Sequence, residues 1–267
     1  MLVNGSPAQL ISIRDRGLLY GDGVFRTFPA RQGRVAHWHW HLKKLQQDCA
    51  ALGIQCPTSE ILQVELQLLL AQHPDGVYKL LVTRGEGKRG YTPLPQTHTS
   101  HFWDVTALPS YPEIYLQDGI AACFCDLRLA TQPRLAGIKH LNRLENVLAA
   151  AELGDCPEGL LLDAHGHVIE GTRSNLFWLK DGQLHTPDLS GCGVAGVQRA
   201  RILAAFPVKV VSVDVPTLLA ADEIFMVNSL MPLWPIRHLA GQEWHEFPVA
   251  QRVREFLQQE EDACSVL

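Results

Sequence analysis

The sequence predicts a mixed α/β protein, and three observations carry that prediction. Short apolar runs such as Tyr78–Thr83 and Gly159–Asp163 have the length and the apolar or β-branched content of buried strands. Between them lie longer segments, Ser59–Gln72 and Leu141–Leu148 among them, whose apolar residues recur at helical spacing. The 267 residues suffice for one large domain or two modest ones with real cores. The stretch Leu108-Pro-Ser-Tyr-Pro112-Glu113, with two prolines and few apolar anchors, marks a division. We therefore expect a small N-terminal α/β domain over residues 1–110 and a larger C-terminal domain over 113–267.

Bulk properties narrow the function. Composition is that of an ordinary soluble globular protein. The net charge of −5 provides no basic footprint for nucleic acid. Seven cysteines contain no Cys-x-x-Cys pair, and Cys123 and Cys125 would share one strand face, which is poor disulfide geometry. Free thiols in a reducing cytosol are the expectation, and hence a cytoplasmic protein. No basic stretch followed by an apolar one opens the chain, and no apolar run is long enough to span a membrane.

In chain order, Leu2–Gly5 reads as a short strand entering a turn, with Gln9–Ile13 as its partner. The phrase Asp15-Arg-Gly-Leu-Leu-Tyr20-Gly21-Asp22-Gly23-Val-Phe25 follows, its glycines open to conformations other residues avoid. Val24–Phe28 and Arg34–Trp38 read as strands around a turn at Arg31–Gly33. Three alternating histidines, His37, His39 and His41, would share a strand face. No carboxylate or cysteine joins them and a helix follows at once, so no metal is expected. That helix runs from His41 to Gly53, a residue suited to its C-terminal cap.

After the second helix, Ser59–Gln72, and the strand Tyr78–Thr83 comes the loop Arg84-Gly-Glu-Gly-Lys-Arg89-Gly-Tyr91. It reads as a solvated surface loop or as a carboxylate clamp, since arginine matches carboxylate geometry. Strands are expected at His101–Ala107, Gly119–Asp126, Gly159–Asp163, Val168–Glu170 and Leu184–Pro187. His165 and His167 flank a glycine in a hairpin turn and need no metal. Gly191-Cys-Gly-Val-Ala-Gly196 precedes a helix over Val197–Phe206, and a glycine turn at a helix start offers free N–H groups suited to phosphate. Ala221–Asn228 is a strand ending in the polar turn Asn228-Ser229-Leu-Met-Pro232, and Phe247–Glu260 is a final amphipathic helix ahead of an acidic, frayed tail.

The chemistry centres on Leu135-Ala-Gly-Ile-Lys139-His-Leu-Asn-Arg-Leu-Glu145. Lys139 sits where an apolar element hands over to a helix, and Leu141, Leu144, Val147 and Leu148 should turn one face of that helix inward. Most lysines near helix starts are solvated, but partial desolvation at such a junction lowers an amine's pKa and makes it a nucleophile or base.

Together these phrases resemble the fold-type IV pyridoxal-phosphate enzymes, which comprise the branched-chain and D-amino-acid aminotransferases and 4-amino-4-deoxychorismate lyase. The resemblance runs from the N-terminus to about residue 236. Around Lys139, Arg84–Tyr91 and Asn228–Pro232 the wording is most like the lyase. It implies a two-domain homodimer with pyridoxal 5'-phosphate in the interdomain cleft and a small-molecule substrate. Lys139 takes the position of the Schiff-base lysine, and Glu170, opening Glu170-Gly-Thr-Arg-Ser-Asn175, that of the carboxylate that pairs with the pyridine nitrogen. Asn175 matches a supporting asparagine.

Three positions depart from the pattern. The family's His-x-x-Arg-Leu holds the phosphate through its arginine; here Lys44 keeps the charge without the two-pronged hydrogen bond. In the Gly-Val-Thr-Arg turn, Gln198 replaces threonine, leaving the N–H groups of Val197 and Gln198 as phosphate donors. By the same resemblance, Ser229 would give the phosphate a further hydrogen bond from its hydroxyl or backbone. At Arg26 some lyases carry a threonine whose hydroxyl assists elimination. The nearest hydroxyl here is Thr27, one strand position on, so no general acid is assigned. Thr27, Arg84, Arg89 and Tyr91 would bind the substrate, the two arginines matching its carboxylates. The reaction implied is conversion of 4-amino-4-deoxychorismate to 4-aminobenzoate and pyruvate. A D- or branched-chain aminotransferase shares Lys139 and Glu170, and a non-catalytic pyridoxal-phosphate binder is the alternative of another class.

Overall fold

A computed structural model describes residues 1–94, 98–231 and 233–263, with side chains described through residue 259. Pro232 of the expected polar turn and the end of the expected tail, residues 264–267, lie outside the described residues. The chain divides into two compact units. One comprises Met1–Pro109 with Ile138–Asn142, the other Ser110–Gly137 with Arg143–Glu260. The pentapeptide carrying Lys139 thus groups with the N-terminal residues although its flanks do not.

The first unit contains β1 (Leu2–Val3), β2 (Ser6–Pro7), α1 (Arg16–Tyr20), β3 (Gly23–Ala30), α2 (Trp38–Ala51), α3 (Ser59–Gln72), β4 (Gly76–Thr83) and β5 (Ser100–Thr106). Among the described residues its strands form a sheet in the order β2-β1-β5-β4-β3. β3 and β4 are antiparallel and pair in unbroken register from Gly23 opposite Thr83 to Ala30 opposite Gly76. Val24, Phe28 and Ala30 of β3 pack with Leu45 of α2, Leu62 and Leu66 of α3, Tyr78 and Trp103 in one apolar core. Thr58 caps α3 by accepting a hydrogen bond from the Ile61 N–H, so that helix starts where the sequence predicts.

Two strand expectations in this unit are corrected. Gln9–Ile13 is not a strand: β1 turns tightly through Asn4 and Gly5 and pairs with Ser6–Pro7, leaving Leu10 and Ile13 exposed. Arg34–Trp38 is not a strand either. His37 adopts a left-handed conformation (φ 57°) and α2 begins at Trp38, which ends the histidine alternation. Among the described residues no group of three or more His, Cys, Asp or Glu side chains is placed to hold a metal ion.

The second unit contains α4 (Ile114–Gln117), β6 (Ile120–Leu129), α5 (Leu144–Ala151), β7 (Glu158–Asp163), β8 (Val168–Gly171), β9 (Asn175–Lys180), β10 (Gln183–Pro187), α6 (Val197–Ala205), β11 (Val208–Val211), α7 (Val215–Leu219), β12 (Glu223–Val227), β13 (Trp234–Leu239), β14 (Gln242–Glu243) and α8 (Pro248–Ala263). Among the described residues the strands form one mixed sheet, β11-β10-β9-β12-β13-β6-β7-β8, with β14 paired to β13. One apolar cluster gathers Leu160, Leu176, Ile224, Trp234 and Ile236; another seats Val253 and Leu257 of α8 against Phe177 and Phe225. Cys123 and Cys125 both approach Gly159, and the described cysteines are free thiols. No described helix is long and apolar enough to cross a membrane.

The helix after Lys139 starts at Leu144, later than its periodicity suggests, and its apolar side is not turned inward. Leu144, Val147 and Leu148 are 75%, 60% and 58% exposed, and Ala149 is its buried residue. Periodicity marks an apolar face without saying what covers it.

Candidate active site

Within the first unit, Lys139 is fixed by its backbone. Its N–H donates to Asp48 Oδ2 at 3.2 Å, and its carbonyl accepts the Phe25 N–H at 3.0 Å. His140 bridges to Val24, and the Leu141 N–H donates to the Gly23 carbonyl at 2.9 Å. Asn142 closes the segment by donating to the Gly21 carbonyl at 3.0 Å. Gly21 caps α1 in the left-handed region (φ 64°), and a Cβ there would meet Asn142 Oδ1 at 2.5 Å, so glycine is required on both counts. The Lys139 amine is half-buried and lies 4.6 Å from the centre of the Phe25 ring.

Strand alternation divides the β3 side chains. Arg26 lies on the buried side with Val24 and Phe28, whereas Thr27 lies on the half-buried side with Phe25. The Thr27 hydroxyl therefore shares a strand face with the ring that carries the Lys139 amine. Arg26 pairs with Asp48 of α2, and so does Lys44, one helical turn before Asp48. Burial lowers the pKa of Lys44, and the Asp48 carboxylate offsets part of that shift. Lys44 and Lys139 thus meet on one carboxylate. Asp48 drew no attention in the sequence, where an isolated helix aspartate carries no signal.

The phrase Asp15–Gly23 is scaffold. Asp15 caps α1 by accepting from the Gly17 N–H at 2.8 Å and takes the Thr83 hydroxyl at 2.9 Å. Arg16 donates to Asp22 at 2.8 Å and to the carbonyls of Gly90 and Tyr91 at 3.0 and 2.8 Å. The loop expected to bind carboxylates is thereby tied down, but its arginines differ. Arg84 is spent on its own fold: it donates to Asp22 at 2.8 Å and to the carbonyls of Leu52 and Gly53, each at 2.7 Å. Arg89 is exposed. The Tyr91 side chain is exposed too, its ring edge-on to Tyr20 with centroids 5.4 Å apart. Burial raises the Asp22 pKa, but the hydrogen bonds from Arg84 and Arg16 outweigh it and hold the carboxyl below its ordinary value.

In the second unit Glu170 and Asn175 hold the glycine turn that leads into Val197 and Gln198. Glu170, 3% exposed at the end of β8, accepts the Val194 N–H at 2.8 Å. Asn175 spans the same turn, donating to the Val194 carbonyl at 2.7 Å and accepting the Gly196 N–H at 3.0 Å. Gly193 (φ +82°) lets the turn pass Glu170, whose carboxyl carbon lies 3.4 Å from where a Cβ would stand. Gly196 then starts α6 without a side-chain cap, and Val197 and Gln198 fill its first two positions. The Gln198 side chain is occupied by Arg201, at 2.6 Å. Ser229 is half-buried and follows Asn228, whose carboxamide accepts the N–H groups of Leu230 and Met231 and donates to the Arg173 carbonyl.

Glu158 is a further residue that sequence reading missed. It is fully buried and accepts from the Thr172 N–H and hydroxyl and from the Ser174 hydroxyl, setting the turn between Glu170 and Asn175. Its only signal was a carboxylate opening a strand that is otherwise apolar up to Asp163.

These residues suit pyridoxal phosphate chemically. They provide a half-buried amine, a buried carboxylate and a helix start with no side-chain cap. A family model for amino-transferase class IV matches residues 23–239. The chain belongs to that family. Aminodeoxychorismate lyase of Vibrio harveyi is 35% identical over 94% of this chain and 96% of that protein. The crystal structure of 4-amino-4-deoxychorismate lyase from Pseudomonas aeruginosa superposes with a TM-score of 0.94 at 43% identity, covering 98% of this chain and 99% of that one. The branched-chain amino acid aminotransferase of Escherichia coli shares the fold, with a TM-score of 0.85 at 21% identity over 98% of this chain and 95% of its own.

Proposed function

We propose that the protein is a pyridoxal-phosphate-dependent lyase that converts 4-amino-4-deoxychorismate to 4-aminobenzoate and pyruvate. The observation that carries the reading is Lys139, its backbone fixed on β3 and α2 and its amine half-buried over Phe25, in a chain alike over almost its whole length to two such lyases. When bound, the cofactor supplies an electron-withdrawing ring next to the substrate's amine-bearing carbon. The Lys139 amine is the group to hold it and, once freed, to take the proton from that carbon. Glu170, its carboxylate fixed by the Val194 N–H, would keep the ring nitrogen protonated. Lys44, Ser229 and the first N–H groups of α6, at Val197 and Gln198, would hold the phosphate.

On the substrate side, Thr27 lies on Phe25's face of β3, where it would contact the substrate. Arg89 and Tyr91 bind substrate carboxylate, with Arg84 bracing their loop from behind through Asp22. The C4 proton passes to Lys139 and the C3–O bond breaks, so the carbocycle becomes aromatic as 4-aminobenzoate and the released enolpyruvate takes up a proton to become pyruvate. The exposed apolar side of α5, with Leu144, Val147 and Leu148, is the surface through which a second copy would complete a homodimer.

Purified protein with pyridoxal phosphate should be yellow, and borohydride should fix the cofactor on Lys139. Lys139→Ala should lose both properties and at least about 10³-fold in pyruvate release from aminodeoxychorismate. A wild type that binds the cofactor but releases no pyruvate, and instead exchanges amino groups between amino and 2-oxo acids, would make it an aminotransferase.

A further inference from the structure

We propose that Asp48 is the positioning residue of the reactive-lysine segment: its carboxylate holds the Lys139 backbone, and Arg26 and Lys44 hold the carboxylate. The proposal rests on the reading of Lys139 just given. Asp48 is 1% exposed and lies on α2, remote in sequence from Lys139. A carboxylate at such a depth needs cationic partners. It has one from the strand and one from its own helix, the Arg26 and Lys44 side chains, only 3% and 17% exposed.

The hydrogen bond from the Lys139 N–H to Asp48 Oδ2, at 3.2 Å, gives the carboxylate a task besides charge balance. With the Lys139 carbonyl held by the Phe25 N–H at 3.0 Å, both backbone groups of the lysine are committed, which fixes the point from which its side chain departs. A charged acceptor holds an N–H more firmly than a neutral one. Arg26, a departure from the family pattern with no evident ligand, thus acquires a role. It orients from β3 the carboxylate that Lys44 contacts from α2.

Two variants test this beside wild type. Arg26→Met with Asp48→Leu replaces the buried pair with apolar side chains of similar size, which such sites tolerate. Asp48→Asn keeps an acceptor but removes its charge. The first readout needs no cofactor: native-state hydrogen exchange at the Lys139 amide. Exchange should accelerate about 10-fold or more in the double variant, while β3 and β4 amides stay protected. The second is the visible circular dichroism of the bound cofactor, which reports a fixed orientation. That signal should fall in the double variant, and Asp48→Asn should bind cofactor about 10-fold more weakly.

Unchanged Lys139 exchange and unchanged dichroism in a folded double variant would overturn the proposal while leaving the lyase reading intact. If the double variant does not fold, wild-type exchange and affinity in Asp48→Asn would overturn it equally. A wild type that never binds pyridoxal phosphate would overturn the reading of Lys139 and this proposal with it.

Discussion

At Arg84 the guanidinium meets Asp22 and the carbonyls of Leu52 and Gly53, so removing it leaves a carboxylate and two carbonyls short of a donor. Arg84→Met should therefore cost about 2 kcal/mol in denaturant unfolding, and Arg84→Lys should not restore it, because an ammonium cannot span the three acceptors. Arg89→Met, at an exposed position, should leave stability alone and raise KM for the dicarboxylate substrate. Asp22 adds an acid-side signature. Its carboxyl is held below 3.8 in the folded protein, so its stabilising contribution is complete above that value and is lost as pH falls through the lower, folded one. Asp22→Asn should flatten the stability profile below about pH 4, as measured by unfolding across acid buffers.

Among elements, those defined by their own residues were legible in the sequence, and those defined by a distant partner were not. α3 begins at Ser59 as read, because Thr58 caps it and apolar residues recur along it. β4 and β7 were legible as apolar runs. Gln9–Ile13 misled because β-propensity does not say whether a partner edge is available. β13 (Trp234–Leu239) escaped notice, since Pro235 within it argues against a strand. Of the candidate site, residue types were legible from motif wording, but the contacts were not. The wording could not show that Asp48 joins Lys44 to the Lys139 backbone, or that Glu158 shapes the turn after Glu170. Glu158→Ala should accordingly destabilise the fold by about 3 kcal/mol and speed amide exchange at Thr172, because its buried hydrogen-bond donors lose their acceptor.

For the whole molecule, the apolar side of α5 carries the homodimer reading into a measurable form. Leu144→Asp with Val147→Asp places charge on side chains that are 75% and 60% exposed in the single chain, so folding of that chain should be nearly unaffected. Sedimentation is expected to give a dimeric wild type and a monomeric double variant. An unchanged dimer would move the interface elsewhere. The excursion of Ile138–Asn142 has a consequence for taking the protein apart. Cut at the boundary after Pro109, the polypeptide yields a C-terminal fragment that carries Lys139 and an N-terminal fragment that carries the described backbone partners of Lys139, Asp48 and Phe25. With Lys139 as the proposed cofactor lysine, neither half alone should turn yellow with pyridoxal phosphate, and mixing the halves should restore the colour.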